Sequence, residues 1–144
     1  IHNYIGFNFS FTEMQAAIGI SQMKKLTRII DKKKKINRIY KNGIKMRSKM
    51  EHIFQDPRCD MIHWFSSILV EDANQISNKL KSKGIQTRRF FYPLHKQPCY
   101  QECVNNRNKL EKSEEIYNRG ISLPSSYNLT EKQQDFVINE LNKL

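Results

Sequence analysis

The stretch MIHWFSSILVEDANQISNKLKSKGIQTRRFFYP, residues 61–93, carries the change of element type that decides the fold. Met61 to Val70 is dense in aromatic and branched side chains, which suit a pleated, half-buried surface, so a strand is predicted there. Asp72, three residues before Gln75, is placed to accept first-turn amides. Ile76 and Leu80 lie one turn apart, and Gly84 falls where a left-handed C-terminal cap belongs. The helix so defined leads into a second strand, Ile85 to Tyr92, which Pro93 ends because proline brings no amide hydrogen to a ladder.

Towards the N-terminus, Thr12 and Gln15 have the form of a capping box. Behind them Met14, Ala17, Ile18, Met23, Leu26, Ile29, Ile30, Ile36, Ile39, Tyr40 and Ile44 recur at helical steps, so one long helix is predicted over 12–50, with Gly43 as its weak point. Towards the C-terminus, Ser113 with Glu114 and Glu115 opens a short helix closing near Gly120. Thr130 and Gln133 cap a last helix that turns Phe136, Val137, Leu141 and Leu144 inward. The order is helix, strand, helix, strand, helix, helix. The fold class is therefore α+β, a long N-terminal helix plus a small α/β sandwich-like domain, with segments 1–11, 12–50 and 51–144.

The chain has 144 residues, 38% of them hydrophobic and 10% aromatic, enough apolar material for a modest core and against wholesale disorder. Five glycines and four prolines exclude a collagen-like or low-complexity chain. No apolar run reaches the roughly 20 residues that span a bilayer, and the opening lacks the order of a signal peptide, so a soluble, cytoplasmic protein is expected. Three cysteines, an odd number, favour free thiols in a reducing compartment. Ile1 is not a start methionine, which points to a piece of something longer.

Four constellations could carry chemistry. The basic run from Lys24 to Lys49, within a net charge of +11, could track phosphates, but it lacks interleaved aromatics and reads better as a solvated helix face than as a nucleic-acid surface. His95, Cys99 and Cys103 are spaced four and four, yet Pro98 opposes the helix that would stack them, and no metal site is expected. Gly84 to Tyr100 ends a strand in arginines, aromatics, proline and histidine, setting a cation, a flat wall and a titratable ring where ligands commonly lie. Its plainer reading is a strand with Phe90 or Phe91 in the core. Gly6 to Thr12 runs straight into a helix N-terminus, where backbone amides and Asn8 could hold a phosphate.

Three segments, taken in order, resemble one family. GFNFSFTEMQAAIGISQMKKL, KGIQTRRFFYPLHKQPCY and GISLPSSYNLTEKQQDFVINEL are similar to successive signatures of the DegT/DnrJ/EryC1/StrS sugar aminotransferases. The resemblance implies the C-terminal part of a fold-type I transferase dependent on pyridoxal phosphate, with 1–11 a remnant of an active-site loop of the large domain. It implies that Asn8 reaches the cofactor phosphate and that Arg88, His95, Tyr92 and Phe91 face a nucleotide-sugar substrate. Ser10 stands where the family has an arginine, and Arg89 where many members have proline. The family's Schiff-base lysine and pyridine-binding aspartate lie before the first matched segment, so no catalytic residue is expected in this chain.

By the same resemblance the whole enzyme moves an amino group from an amino-acid donor, usually glutamate, to a nucleotide-linked keto-sugar. The Phe90–His95 wording is similar to members acting on 4-keto-6-deoxy sugars, such as the perosamine synthases. A homodimer is expected, since Ala16, Ala17, Ile18 and Ile20 give the first helix more apolar surface than one small domain covers. The alternatives are a basic nucleic-acid-binding module and a dehydratase or regulatory member of the family.

Overall fold

A computed structural model describes residues 10–47, 49–103 and 110–144, with the side chains of 101–103 left aside. Helices α1 (Glu13–Met23) and α2 (Leu26–Gly43) are followed by strands β1 (Met50–His52) and β2 (Ser66–Val70), helix α3 (Ala73–Ser82) and strand β3 (Arg88–Arg89). Two short 3-10 turns, Leu94–Lys96 and Pro98–Cys103, lead towards α4 (Glu111–Arg119), β4 (Gly120–Leu123) and α5 (Glu131–Lys143). The strands form one antiparallel sheet in the order β1-β2-β4-β3.

The predicted caps at Thr12, Asp72, Gly84 and Thr130 are present, whereas Ser113 opens no helix: α4 starts two residues earlier, at Glu111, without a side-chain cap. Thr12 and Thr130 each accept from the amide three residues on while Gln15 and Gln133 answer back, and Asp72 accepts from the amides of Asn74 and Gln75. Gly84 has φ of +76°, which suits a residue without Cβ. Its amide bonds the Lys81 carbonyl while Ile85 bonds that of Leu80, both at 2.9 Å, closing α3 in a Schellman motif with Leu80 and Ile85 buried.

The single helix expected over 12–50 is two. Lys25 turns back to the Gln22 carbonyl at 2.9 Å, a tighter bond than the α-helical one, and the chain breaks at Lys24–Lys25. The second helix stops at Gly43, where a Cβ would lie 2.7 Å from the Ile138 side chain, so α2 and α5 approach closely. Asn142 closes that end: its Nδ2 donates to the Gly43 carbonyl at 2.9 Å and its Oδ1 accepts from the Lys45 amide at 2.8 Å. Ile44 then adopts extended backbone and is buried.

Two strands escaped the sequence reading. β4 lies where only the end of a helix was expected, and it is central; all four of its residues are buried, and a run of four is too short for its Gly/Ser against Ile/Leu alternation to stand out from the helix before it. β1 has three residues. The predicted strands are also shorter: β2 starts at Ser66, leaving Trp64 67% exposed, and β3 is reduced to two residues.

One face of the sheet carries Met50, Ile68, Val70, Ile121 and Leu123, which join Ile36 and Tyr40 of α2, Leu80 of α3 and Val137, Ile138 and Leu141 of α5 in the core. Gln134 is buried there and donates to the Ile36 carbonyl at 2.6 Å; Tyr40 donates to that of Pro124 at 2.9 Å. The other face carries Ser67, Ser122 and Gly120. A Cβ on Gly120 would fall 2.1 Å from the Phe90 ring and 2.5 Å from the Ile116 carbonyl oxygen, so ring, strand and α4 meet over this glycine. No residue of α1 is buried, and Phe11 and Met14 are more than 70% exposed.

Gly120→Ala is expected to lower stability by about 3 kcal/mol, since neither the ring nor the backbone oxygen can move freely, whereas Gly19→Ala, with open space around it, should not destabilise. Urea unfolding followed by circular dichroism reads both.

Candidate functional site

The principal cleft is a hollow of about 940 Å³ at the β3 edge of the sheet. It opens because β3 is so short: the chain from Gly84 to Thr87 runs apart from β4 before pairing at Arg88. That segment forms one wall, Lys33, Trp64 and Phe65 another, and Ser122 to Ser126 with Lys132 and Phe136 complete the lining.

Lys33 ties the walls together. Its ammonium donates to the carbonyls of Trp64 at 3.0 Å and Ser125 at 2.5 Å, and burial lowers its pKa. The Ser125 hydroxyl donates to the Leu123 carbonyl at 2.8 Å and accepts from the Ser66 amide at 2.9 Å. The neighbours of Lys33 are engaged too. Lys32 donates to the Leu129 carbonyl at 3.0 Å, and Lys34 and Lys35 each pair with a carboxylate at 2.6 Å, Asp60 and Glu131. Within the run expected to be a solvated face, Lys32 to Lys35 form a seam that docks α2 to five separate acceptors, which leaves those four lysines ill-suited to track phosphates.

The two arginines of β3 point to opposite faces of the sheet. Arg89 is a structural brace: its guanidinium donates to Asn74 and, at 2.7 Å, to the Tyr117 carbonyl, and lies 5.3 Å from the centre of the Tyr117 ring. Arg88 lines the cleft, with its guanidinium 4.9 Å from the centre of the Phe91 ring and 5.5 Å from that of Phe65. It has no hydrogen-bond or ion-pair partner among the described residues, so its planar fork remains available to an anion.

Tyr92 and His95 belong to a different neighbourhood. The Tyr92 ring meets Tyr117 edge-on at 5.3 Å, and His95 Nε2 lies 3.0 Å from Glu114 Oε1, both partners on α4. Lys96 donates to the other oxygen of Glu114 at 2.5 Å. The Lys96 bond, followed by the His95 bond, holds the Glu114 carboxyl below its ordinary pKa. Any stability this contributes is present above the unfolded-state pKa and is lost as pH falls through the lowered folded value. The predicted substrate set is thus divided: Arg88 lines the cleft with the exposed Phe91 ring against its guanidinium, while Tyr92 and His95 pack on α4.

Asn8 lies outside the described residues. His95 and Cys99 sit on two separate 3-10 turns joined at Gln97, so their spacing of four does not stack them on one helical face. Among the described residues no three His, Cys, Asp or Glu side chains form a metal-binding group, and Cys59 and Cys99 are free thiols. No described helix is long and apolar enough to cross a membrane. Trp64, Phe65 and Lys33 were missed as cleft residues. The aromatic pair Trp64-Phe65 ahead of a strand was the available signal, and the structure stacks the two rings at 4.7 Å.

Comparison with known proteins identifies the group to which this arrangement belongs. The model of the DegT/DnrJ/EryC1/StrS aminotransferase family matches residues 1–142, and the chain is a member of that family. It is 33% identical to the GDP-perosamine synthase of Escherichia coli O157:H7, over 99% of this chain and 38% of that protein. It is 27% identical to the GDP-perosamine synthase of Vibrio cholerae, over 96% and 38%. The chain therefore spans about two fifths of the length of these relatives. Among solved structures, DesV of S. venezuelae superposes with a TM-score of 0.88 at 22% identity, over 99% of this chain and 39% of that one, a likeness of fold.

Pyridoxal phosphate, on which the family depends, needs an amine free to meet its aldehyde. The described residues do not make that site: Lys33, the lysine within the cleft wall, is held by two carbonyls, and Lys132 stands exposed at the rim.

Arg89→Ala is expected to cost about 2 kcal/mol of stability, because Asn74 and the Tyr117 carbonyl lose their donor, while Arg88→Ala should cost under about 1 kcal/mol. Chemical denaturation of the two variants side by side measures the difference.

Proposed function

We propose that this chain is the small-domain portion of a pyridoxal-phosphate-dependent aminotransferase acting on a nucleotide-linked keto-sugar, a 4-keto-6-deoxy sugar, with glutamate as amino donor. The observation that carries the reading is Arg88. It is a guanidinium without a polar partner among the described residues, lining the cleft against the Phe65 and Phe91 rings, on a segment whose resemblance to the family implies a substrate-facing place. Its fork suits a diphosphate, and Phe91 offers a wall for the sugar or base. Tyr92 and His95, held against α4 apart from the cleft lining, contact another part of the substrate, and Asn8 reaches the cofactor phosphate.

The aldehyde-binding lysine and the aspartate at the pyridine nitrogen come from chain outside these 144 residues, so the isolated chain is inactive. Bound pyridoxal phosphate would supply the electron sink for amino transfer; residues of this chain bind and orient the sugar nucleotide. The exposed apolar stripe of α1 is covered in the intact protein by the large domain or by a second subunit of a homodimer. Such an enzyme belongs to the cytoplasm, where its nucleotide-sugar substrates are made.

The test is glutamate-dependent amination of a GDP-linked 4-keto-6-deoxy sugar by the intact protein that contains this chain. Turnover is expected, and Arg88→Ala should raise KM for the sugar nucleotide about tenfold or more while kcat changes less. An unchanged KM would remove Arg88 from the site. Absence of any amino transfer by the intact, cofactor-loaded protein would overturn the enzyme reading in favour of a regulatory or dehydrating member of the family.

A further inference from the structure

Helix α4 grips β3 and the segment that follows it at three points. Arg89 donates to the Tyr117 carbonyl, the Tyr92 ring packs edge-on against the Tyr117 ring, and His95 meets Glu114 one turn earlier on the same face. Of these contacts, the last fixes a chemical state as well as a position. Glu114 is ion-paired with Lys96 through Oε2, so its carboxylate is ionised and both oxygens can only accept. The ring nitrogen facing Oε1 at 3.0 Å must then carry a hydrogen. A neutral imidazole has one such hydrogen, so Nδ1 is left with a lone pair, and it has no partner among the described residues.

We infer that Glu114 is a positioning residue: it holds His95 in the Nε2–H form, so that Nδ1 accepts a hydrogen bond from a hydroxyl of the sugar substrate. A histidine in the other tautomer would present an N–H at that point and would suit a carbonyl instead. The Glu114 carboxylate is ionised at neutral pH and above with or without Lys96, so the ion pair serves to orient it, and the length of the Glu114 side chain brings the acceptor within reach. This inference rests on the proposed substrate-facing role of His95 but makes a separate claim about α4.

The test has two arms. In the first, long-range proton–nitrogen correlation spectra of the nitrogen-15-labelled chain at pH 9, with the His95 signals assigned through His95→Gln, report which ring nitrogen carries the hydrogen. Nε2–H is expected in the parent and in Lys96→Ala. It should also persist in Glu114→Gln, whose amide oxygen still accepts, and give way to a mixture in Glu114→Ala. An Nδ1–H ring or a doubly protonated ring in the parent would overturn the inference, as would a Glu114→Ala spectrum identical to the parent.

In the second arm, the intact enzyme is assayed in reverse with GDP-perosamine. Glu114→Ala should raise KM about tenfold with little change in kcat, and Glu114→Gln should restore most of the loss. If the spectra behave as expected but KM does not move, the Nδ1 lone pair does not meet substrate and the inference fails there. If the parent enzyme shows no transfer at all, it is the proposed function that fails, while the spectra alone decide what Glu114 does to His95.

Discussion

Between β2 and β3, Gly120 has no room for a side chain, because Phe90 closes over it from one side and the Ile116 carbonyl from the other. This steric constraint seats α4 on the outer face of the sheet and sets the course of the chain beyond β3. Once α4 is seated, Glu114 and Tyr117 are within reach of His95 and Tyr92. The site segment is irregular backbone, which has few hydrogen bonds of its own to hold it, so its geometry is borrowed from a helix and that helix's from a glycine. On the opposite face, the same strand contributes Ile121 and Leu123 to the core, so site and core are built on one short element.

The lysine run shows how the surroundings decide what a charge does. Four successive lysines on one helix look like a uniform solvated face, but successive residues point about 100° apart, so they address different neighbours. Two reach carbonyls and two reach carboxylates. The carbonyl partners, Trp64, Ser125 and Leu129, lie in connections outside the strands, and the ammonium groups supply donors to their oxygens while fixing α2 against the loops that border the cleft.

Much of the fold was legible in local chemistry. The capping boxes at Thr12 and Thr130, the Asp72 cap and the left-handed Gly84 are set by residues within a few positions of one another, and each was found where expected. What depended on distant contacts was not legible. The break at Lys24–Lys25 has no glycine or proline to announce it, and although Gly43 marked the weak point at the end of α2, the close approach of Ile138 that leaves no room for a Cβ there could not be read from it. Strand β4 alternates, Gly-Ile-Ser-Leu, but only over four residues that follow α4 directly, so it looks like the tail of a helix. The same divide runs through the site. The segment Arg88–His95 was evident from its residue types, but the different duties of Arg88 and Arg89, and the pairing of His95 with a residue 19 positions away, follow from packing alone.

Trp64 is the sole tryptophan of the chain, two-thirds exposed, stacked on Phe65 and seated in the cleft wall, with its carbonyl held by Lys33. The molecule therefore carries its own optical reporter. An indole so placed emits near the red limit for a hydrated ring, and any occupant that strips water from that wall must alter its colour or intensity. Filling of the cleft can thus be followed by fluorescence without a label.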